Sequence, residues 1–196
     1  MAGAVSGFEA LPRGGAAAAF DEVEIAILRS LAVQLLELIG PGDQPAEEED
    51  PLAALFAEGP SEPPTDPALA RLFPEAYASE ESEELRAKSA EFRRFTENDL
   101  RARKRADALA VVRGLDELIP RGDGGAVLKL TADDARHWLG ALNDLRLTIA
   151  TRLDITDEDE SGELYRLPDD DPRKPMVMAY LWLGVLQETL IDTLMP

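Results

Sequence analysis

The sequence predicts a mainly α-helical chain, a helical bundle of about four main helices with a small β element near the N-terminus. Three observations predict it. Apolar residues recur at three- and four-residue steps through 21–39, 79–118, 131–153 and 175–194. Capping residues, glycines and prolines punctuate the ends of those stretches. Only two short runs, 8–20 and 126–130, have the character of strands.

Residues 1–20 are rich in Gly and Ala, with Phe8-Glu9-Ala10-Leu11 and Ala16–Phe20 flanking Arg13-Gly14-Gly15. This reads either as a weak β-hairpin with a Gly-Gly turn or as a frayed tail. Asp21 can cap a first helix that runs to Ile39 with Leu28, Leu31, Leu35 and Leu38 on one side. Gly40-Pro41 ends it.

Residues 41–66 are a different material. They hold eight Asp and Glu, no Lys or Arg, and a scatter of prolines, a composition that buries too little apolar surface to order itself. The short piece Leu52, Leu55, Phe56 is either part of a solvated loop or a docking motif. Pro67–Phe73 suits one helical turn.

Ser79 to about Leu118 reads as a long helix with a potential break near Asn98. Its first turns carry Glu80, Glu81, Glu83 and Glu84, where carboxylates suit the helix dipole. Leu85, Phe92, Phe95, Ala102, Ala106 and Leu109 fall on one side and are expected to face inward. Ala126–Leu130 is the best strand, and the N-terminal hairpin is its natural partner. Thr131 to Asp134 has the pattern of a capping box and opens a helix to about Leu153, with Trp138, Leu142, Leu145, Ile149 and Leu153 inward. Pro175 starts the last helix, which ends near Leu194. Val177, Leu181, Trp182, Val185, Leu186, Leu190 and Leu194 make much of its circumference apolar, as in a central core helix or half of a dimer interface. The chain reads as a single domain, 1–196, with a partly disordered acidic insertion at 41–78 and a second acidic loop at 154–174.

Composition narrows the function. The 196 residues carry 39 acids against 20 Lys and Arg, a net charge of −19, one histidine and no cysteine. Without cysteine there is no disulfide framework, thiolate zinc site, iron–sulfur cluster or cysteine nucleophile. One histidine rules out multi-histidine metal sites. No metal and no cofactor are expected. Met1–Ala19 has neither the basic start nor the unbroken apolar stretch of a signal peptide. The longest apolar run, Val177–Leu186, is half the ~20 residues of a membrane span. A cytoplasmic setting is expected. The negative charge disfavours anionic membranes and duplex DNA as whole-surface partners.

Two side-chain groups stand out. Arg86, Arg93, Arg94, Arg101, Lys104 and Arg105 fall within an arc of about 120°, opposite the apolar side of the long helix. Residues 86–121 hold ten of the chain's twenty basic residues. Such a stripe suits a phosphate backbone, an acidic protein partner, the acidic loops of the same chain, or solvent. No aromatic residue interleaves it. The second group is Asn143, Asp144 and Arg146 on one helix with Gln187 and Glu188 on the last. It reads as a polar network locking two core helices, with Arg146 set against Glu188, or as a recognition pocket. Asp157, Asp159, Ser161 and Gly162 begin like a calcium loop, but Pro168 stands where the bidentate Glu belongs. His137 has no nucleophile elbow beside it, and Gly122, Gly124 and Gly125 lack the Lys and Ser/Thr of a phosphate loop. No catalytic set is recognisable, so no enzyme activity is expected.

Three stretches carry a family pattern. Glu24-x-x-x-Leu28-x-x-Leu31 continues into Gln34-Leu35-Leu36-Glu37-Leu38; Trp138-Leu139-x-Ala141-Leu142-Asn143-Asp144-Leu145-Arg146-Leu147 precedes Thr151-Arg152-Leu153; and the end reads Tyr180-Leu181-Trp182-Leu183-x-x-Leu186-Gln187-Glu188-Thr189-Leu190. This resembles the AosR-like actinobacterial family, long catalogued as a domain of unknown function. The resemblance implies an oxidative-stress transcriptional regulator that works with a sigma factor and RNA polymerase, and a link to a cysteine-biosynthesis cassette that uses a sulfur carrier protein. It also implies a redox switch built on a cysteine pair, which this chain lacks. Met176, Met178 and Met195 are oxidisable, but on a core helix their oxidation would damage packing. The expected function is therefore a non-enzymatic regulator acting by protein–protein contact, the basic stripe meeting an acidic surface. The alternatives are direct DNA binding through that stripe, a pocket enzyme built on Asn143, Arg146, Gln187 and Glu188, and a scaffolding homodimer joined through the last helix.

Overall fold

A computed structural model of the chain describes residues 7–12, 14–41, 59–77, 82–119, 125–155 and 166–195. The elements run β1 (Glu9–Ala10), β2 (Ala16–Phe20), α1 (Glu22–Ile39), α2 (Pro67–Leu72), α3 (Glu83–Asp116), β3 (Ala126–Leu130), α4 (Ala132–Arg152) and α5 (Lys174–Leu194). Four long helices and a three-stranded antiparallel sheet of order β1-β2-β3 make up the fold, as the sequence predicts.

Local signals set the helix starts. Asp21 and Glu24 form a reciprocal capping box at α1, and Thr131 and Asp134 form another at α4. Asp66 accepts from the Ala68 and Leu69 N–H groups to start α2, with Pro67 at its first position. In the sheet, Ala16 lies opposite Leu130 and Phe20 opposite Ala126. Gly15 (φ 89°) turns the chain into β2, and a Cβ there would collide with the Leu130 carbonyl.

α4 is the hub. It packs against α1, α2, α3 and α5 and buries Trp138, Leu142, Leu145 and Ile149, as the periodicity predicts. Phe8 and Phe20 close one end, with Phe8 edge-on to Trp138 at 6.0 Å and Phe20 edge-on to Trp182 at 6.3 Å. The Phe8 N–H donates to Thr189 Oγ1 at 3.0 Å and ties β1 to α5. α5 buries Val177, Leu183, Leu186 and Leu190, while Leu181, Trp182, Val185 and Leu194 are only half-buried.

The long helix departs from expectation twice. It is continuous from Glu83 to Asp116, without a break at Asn98. Its inward face is also the reverse of the expected one over the first half. Ser89, Arg93 and Glu97 are buried, while Phe92 and Phe95 are 51% and 61% exposed. Ala102 and Ala106 are exposed too. Only further along does an apolar face, Ala108, Val111 and Leu115, turn inward. The Leu52–Phe56 piece and most of the calcium-like loop lie outside the described residues.

Candidate functional site

The reversal of α3 has a physical cause: its buried polar side chains serve backbone groups at the ends of α1 and α2. α1 ends with no basic residue in its last turn, leaving carbonyls and the negative end of the helix dipole unanswered. Arg105 Nη1 donates to the Gly40 carbonyl at 2.7 Å and to the Leu36 carbonyl at 3.3 Å. Arg101 donates to the Ile39 carbonyl and stacks its guanidinium 4.4 Å over the Phe73 ring. Arg93 gives both terminal nitrogens to the Phe73 carbonyl at 3.1 Å. Ser89 Oγ accepts from the Tyr77 N–H at 3.1 Å. The Arg94 carbonyl accepts from the Gly59 N–H at 2.7 Å.

Two cations so close need an anion between them. Glu97 supplies it, accepting from Arg93 and Arg101 at 2.6 Å each while only 3% exposed. Arg93, Glu97 and Arg101 thus form a buried triad one turn apart. One turn on, Lys104 donates to Asp144 Oδ1 at 2.6 Å and joins the basic stripe to the second polar group. Burial pushes the Asp144 carboxyl above the ordinary aspartate range, and the Lys104 ammonium pulls it back only in part.

Arg93, Arg101, Lys104 and Arg105 are therefore engaged inside the fold. Arg86 is exposed. Arg94 is half-buried, with its guanidinium 5.0 Å from the Phe95 ring.

In the second group, Arg146 pairs with Gln187 rather than with Glu188. Nη1 donates to Gln187 Oε1 at 2.5 Å, and Nη2 reaches the Tyr180 hydroxyl at 3.4 Å with the ring stacked at 5.0 Å. Gln187 Nε2 reaches Asn143 Oδ1 at 3.5 Å, and Glu188 is exposed. This network pins α4 to α5 beside a shallow groove of about 550 Å3. Met176, Met178 and Met195 are 44%, 55% and 66% exposed, so the expectation that they sit in packing does not hold.

Sequence reasoning missed Glu97 as the centre of the triad, although Arg93, Glu97 and Arg101 stand at four-residue spacing. It also missed the Lys104–Asp144 bond and the His137–Asp107 contact of 2.6 Å. A larger cleft of about 630 Å3 opens between α3, β3 and the start of α4, lined by Arg113, Leu118, Leu128, Lys129, His137 and Trp138. β3 is an edge strand among the described residues. Those residues contain no cluster of three or more metal-ligating side chains, and no helix among them is long and apolar enough to cross a membrane.

Comparison with known proteins gives a consistent picture. Residues 5–194 match the family model described as a domain of unknown function, DUF2017. The oxidative stress regulators AosR of Mycobacterium tuberculosis H37Rv and Mycobacterium bovis are 30% identical over 182 residues, 88% of this chain and 78% of theirs. The putative oxidative stress regulator AosR of Mycobacterium leprae is 30% identical over 182 residues, 88% of this chain and 79% of its own. No solved structure matches. A match over nearly the whole length, to relatives named as regulators, places the chain in the DUF2017 family.

Proposed function

We infer that the protein is a non-enzymatic regulator of the oxidative-stress response, acting on the transcription machinery through protein–protein contact. The named relatives support the regulatory role. One geometric observation supports protein contact over direct DNA binding: Arg93, Arg101, Lys104 and Arg105 are engaged with Glu97, Asp144 and the backbone of α1 and α2. A phosphate-tracking surface needs its cations facing solvent, and a chain of net charge −19 repels DNA at longer range. With no cysteine, the trigger is not a disulfide, and the chain responds through what it binds.

The test is affinity capture of the tagged full-length protein from its own cells after peroxide, with nuclease added. Retention of RNA polymerase or a sigma factor through nuclease supports the reading, as does its loss on Arg113→Glu/Lys129→Glu at the rim of the β3 cleft. Recovery of those proteins only without nuclease gives the role to DNA binding. Charge reversal of Arg93 or Arg101 is unsuitable, because either change would break the buried triad.

A further inference from the structure

We propose that the outward face of α3 is a self-association surface, on which a second copy of the chain docks its own α3 in antiparallel orientation. This goes beyond the regulatory reading and does not depend on it.

The observation is a seam that none of the described residues covers. Leu85, Lys88, Phe92, Phe95, Asp99, Ala102 and Ala106 follow one another at alternating three- and four-residue steps. That is the heptad rhythm of a helix that packs along another helix. In this fold the seam faces out: Lys88, Phe92, Phe95, Asp99, Ala102 and Ala106 are exposed and Leu85 is half-buried. Phe92 and Phe95 stand side by side at its centre, among the most exposed large apolar side chains of the described residues. The opposite face is fixed inward by Arg93 and Glu97, so the helix cannot roll to hide them.

The seam also carries its own complement. One antiparallel register sets Phe92 against the partner's Phe95 and, by symmetry, Phe95 against the partner's Phe92. The same register sets Lys88, which pairs with Glu84 of its own helix at 2.7 Å, against the partner's Asp99, and Leu85 against the partner's Ala102. Aromatics meet, Lys88 comes within reach of the partner's Asp99 beside its own Glu84, and a large residue meets a small one. An interface of this twofold kind must match itself in this way. A parallel arrangement would instead put Lys88 on Lys88 and Asp99 on Asp99. The match has weight because the chain as a whole is strongly acidic. Self-association is opposed by net charge everywhere except where cations and anions alternate, as they do here. Overlap from Glu84 to Arg103 spans about 30 Å of helix. The ordering cost is small, because α3 is already held straight by its inner face.

Sedimentation velocity on the full chain across the micromolar range tests the proposal. The wild type should show a concentration-dependent monomer–dimer equilibrium. Phe92→Ala/Phe95→Ala should be monomeric, with a circular-dichroism melt at low concentration lowered by only a few degrees. Lys88→Asp and Asp99→Lys should each weaken the dimer about tenfold or more, and the two combined should restore it. Since the protein has no cysteine, Leu85→Cys/Ala102→Cys gives a clean register readout. The two positions lie too far apart on one helix to bridge within a chain, so oxidation should yield a covalent dimer, with neither single variant doing so. A wild type that stays monomeric at high micromolar concentration overturns the proposal. So does a dimer that survives loss of both phenylalanines, or one that cross-links readily through Cys at either single position.

Discussion

From Glu83 to Arg101, α3 turns Ser89, Arg93 and Glu97 inward and leaves Phe92 and Phe95 in solvent; from Ala108 to Leu115 it buries Ala108, Val111 and Leu115. The second half packs on the apolar surface offered by α1 and α4, and hydrophobic burial decides its rotation. The first half faces the C-terminal end of α1 and the irregular backbone after α2. Unpaired carbonyls there are a larger liability than two exposed rings, because a buried backbone acceptor left without a donor costs the full desolvation of that group. Helix rotation is thus set by what the neighbour needs, and on the two halves of α3 the neighbours need opposite things.

The largest break in this comparison is Glu97→Ala. It leaves Arg93 buried and Arg101 nearly so, with no anion between them, and should cost about 3–5 kcal/mol, read as a fall in the urea midpoint at constant slope. In the apolar half the matching change is Leu115→Ala, which opens a cavity in the core and should cost about 2–5 kcal/mol. If Glu97→Ala were the milder of the two by a wide margin, the triad would be ornament and the rotation of α3 would need another cause.

Lys104→Met sharpens the boundary between the halves. It strands the Asp144 carboxyl, which burial already holds above the ordinary aspartate range. The cost should be about 1–3 kcal/mol at pH 8, less than for Glu97→Ala because the carboxyl can escape by taking up a proton. The sign follows from linkage. A carboxyl whose pKa is raised in the fold is penalised fully above that raised value, and the penalty is relieved as pH falls through it toward the unfolded value. The gap between variant and wild type should therefore narrow from pH 8 to pH 5. Asp66, Asp116 and Asp171, held below the ordinary range by Arg152, Arg29 and Arg173, stay ionised over that span and leave the gap to Asp144. A gap that is flat across that range would mean Asp144 is not the group left stranded.

The parts of this fold legible in sequence are those set by neighbours along the chain. The capping boxes at Asp21 and Thr131, the strand at Ala126–Leu130 and the inner face of α4 depend on spacing within one element, and spacing is visible. The basic stripe was visible as well, but not its direction. Arg101 and Arg105 point inward because α1 happens to end beside them without a cation of its own, a fact about two segments about sixty residues apart that no periodicity encodes. The pairing of Lys104 with Asp144 likewise crosses from one helix to another. Arg146 chose Gln187 over Glu188 for a similar reason: side-chain direction on two packed helices, not residue type, decides which neighbour is within reach.

The smallest effect belongs to the residues that periodicity ranks as core. Phe92→Ser should shift stability in dilute protein by no more than about 0.5 kcal/mol, as for a surface substitution. Phe95→Ser should lose up to about 1 kcal/mol, since it also removes the ring beneath the Arg94 guanidinium. Those values hold for the monomer. Repeated at concentrations where the wild type self-associates, the same comparison should grow, because association adds stability that rises with the logarithm of concentration over the dissociation constant. A concentration-dependent gap for Phe92→Ser, beside a concentration-independent one for Leu115→Ala, would separate an apolar face that serves the fold from one that serves an assembly. Equal and large losses at both positions in dilute protein would instead mean that α3 is rotated the other way in solution, and the buried triad would fall with it.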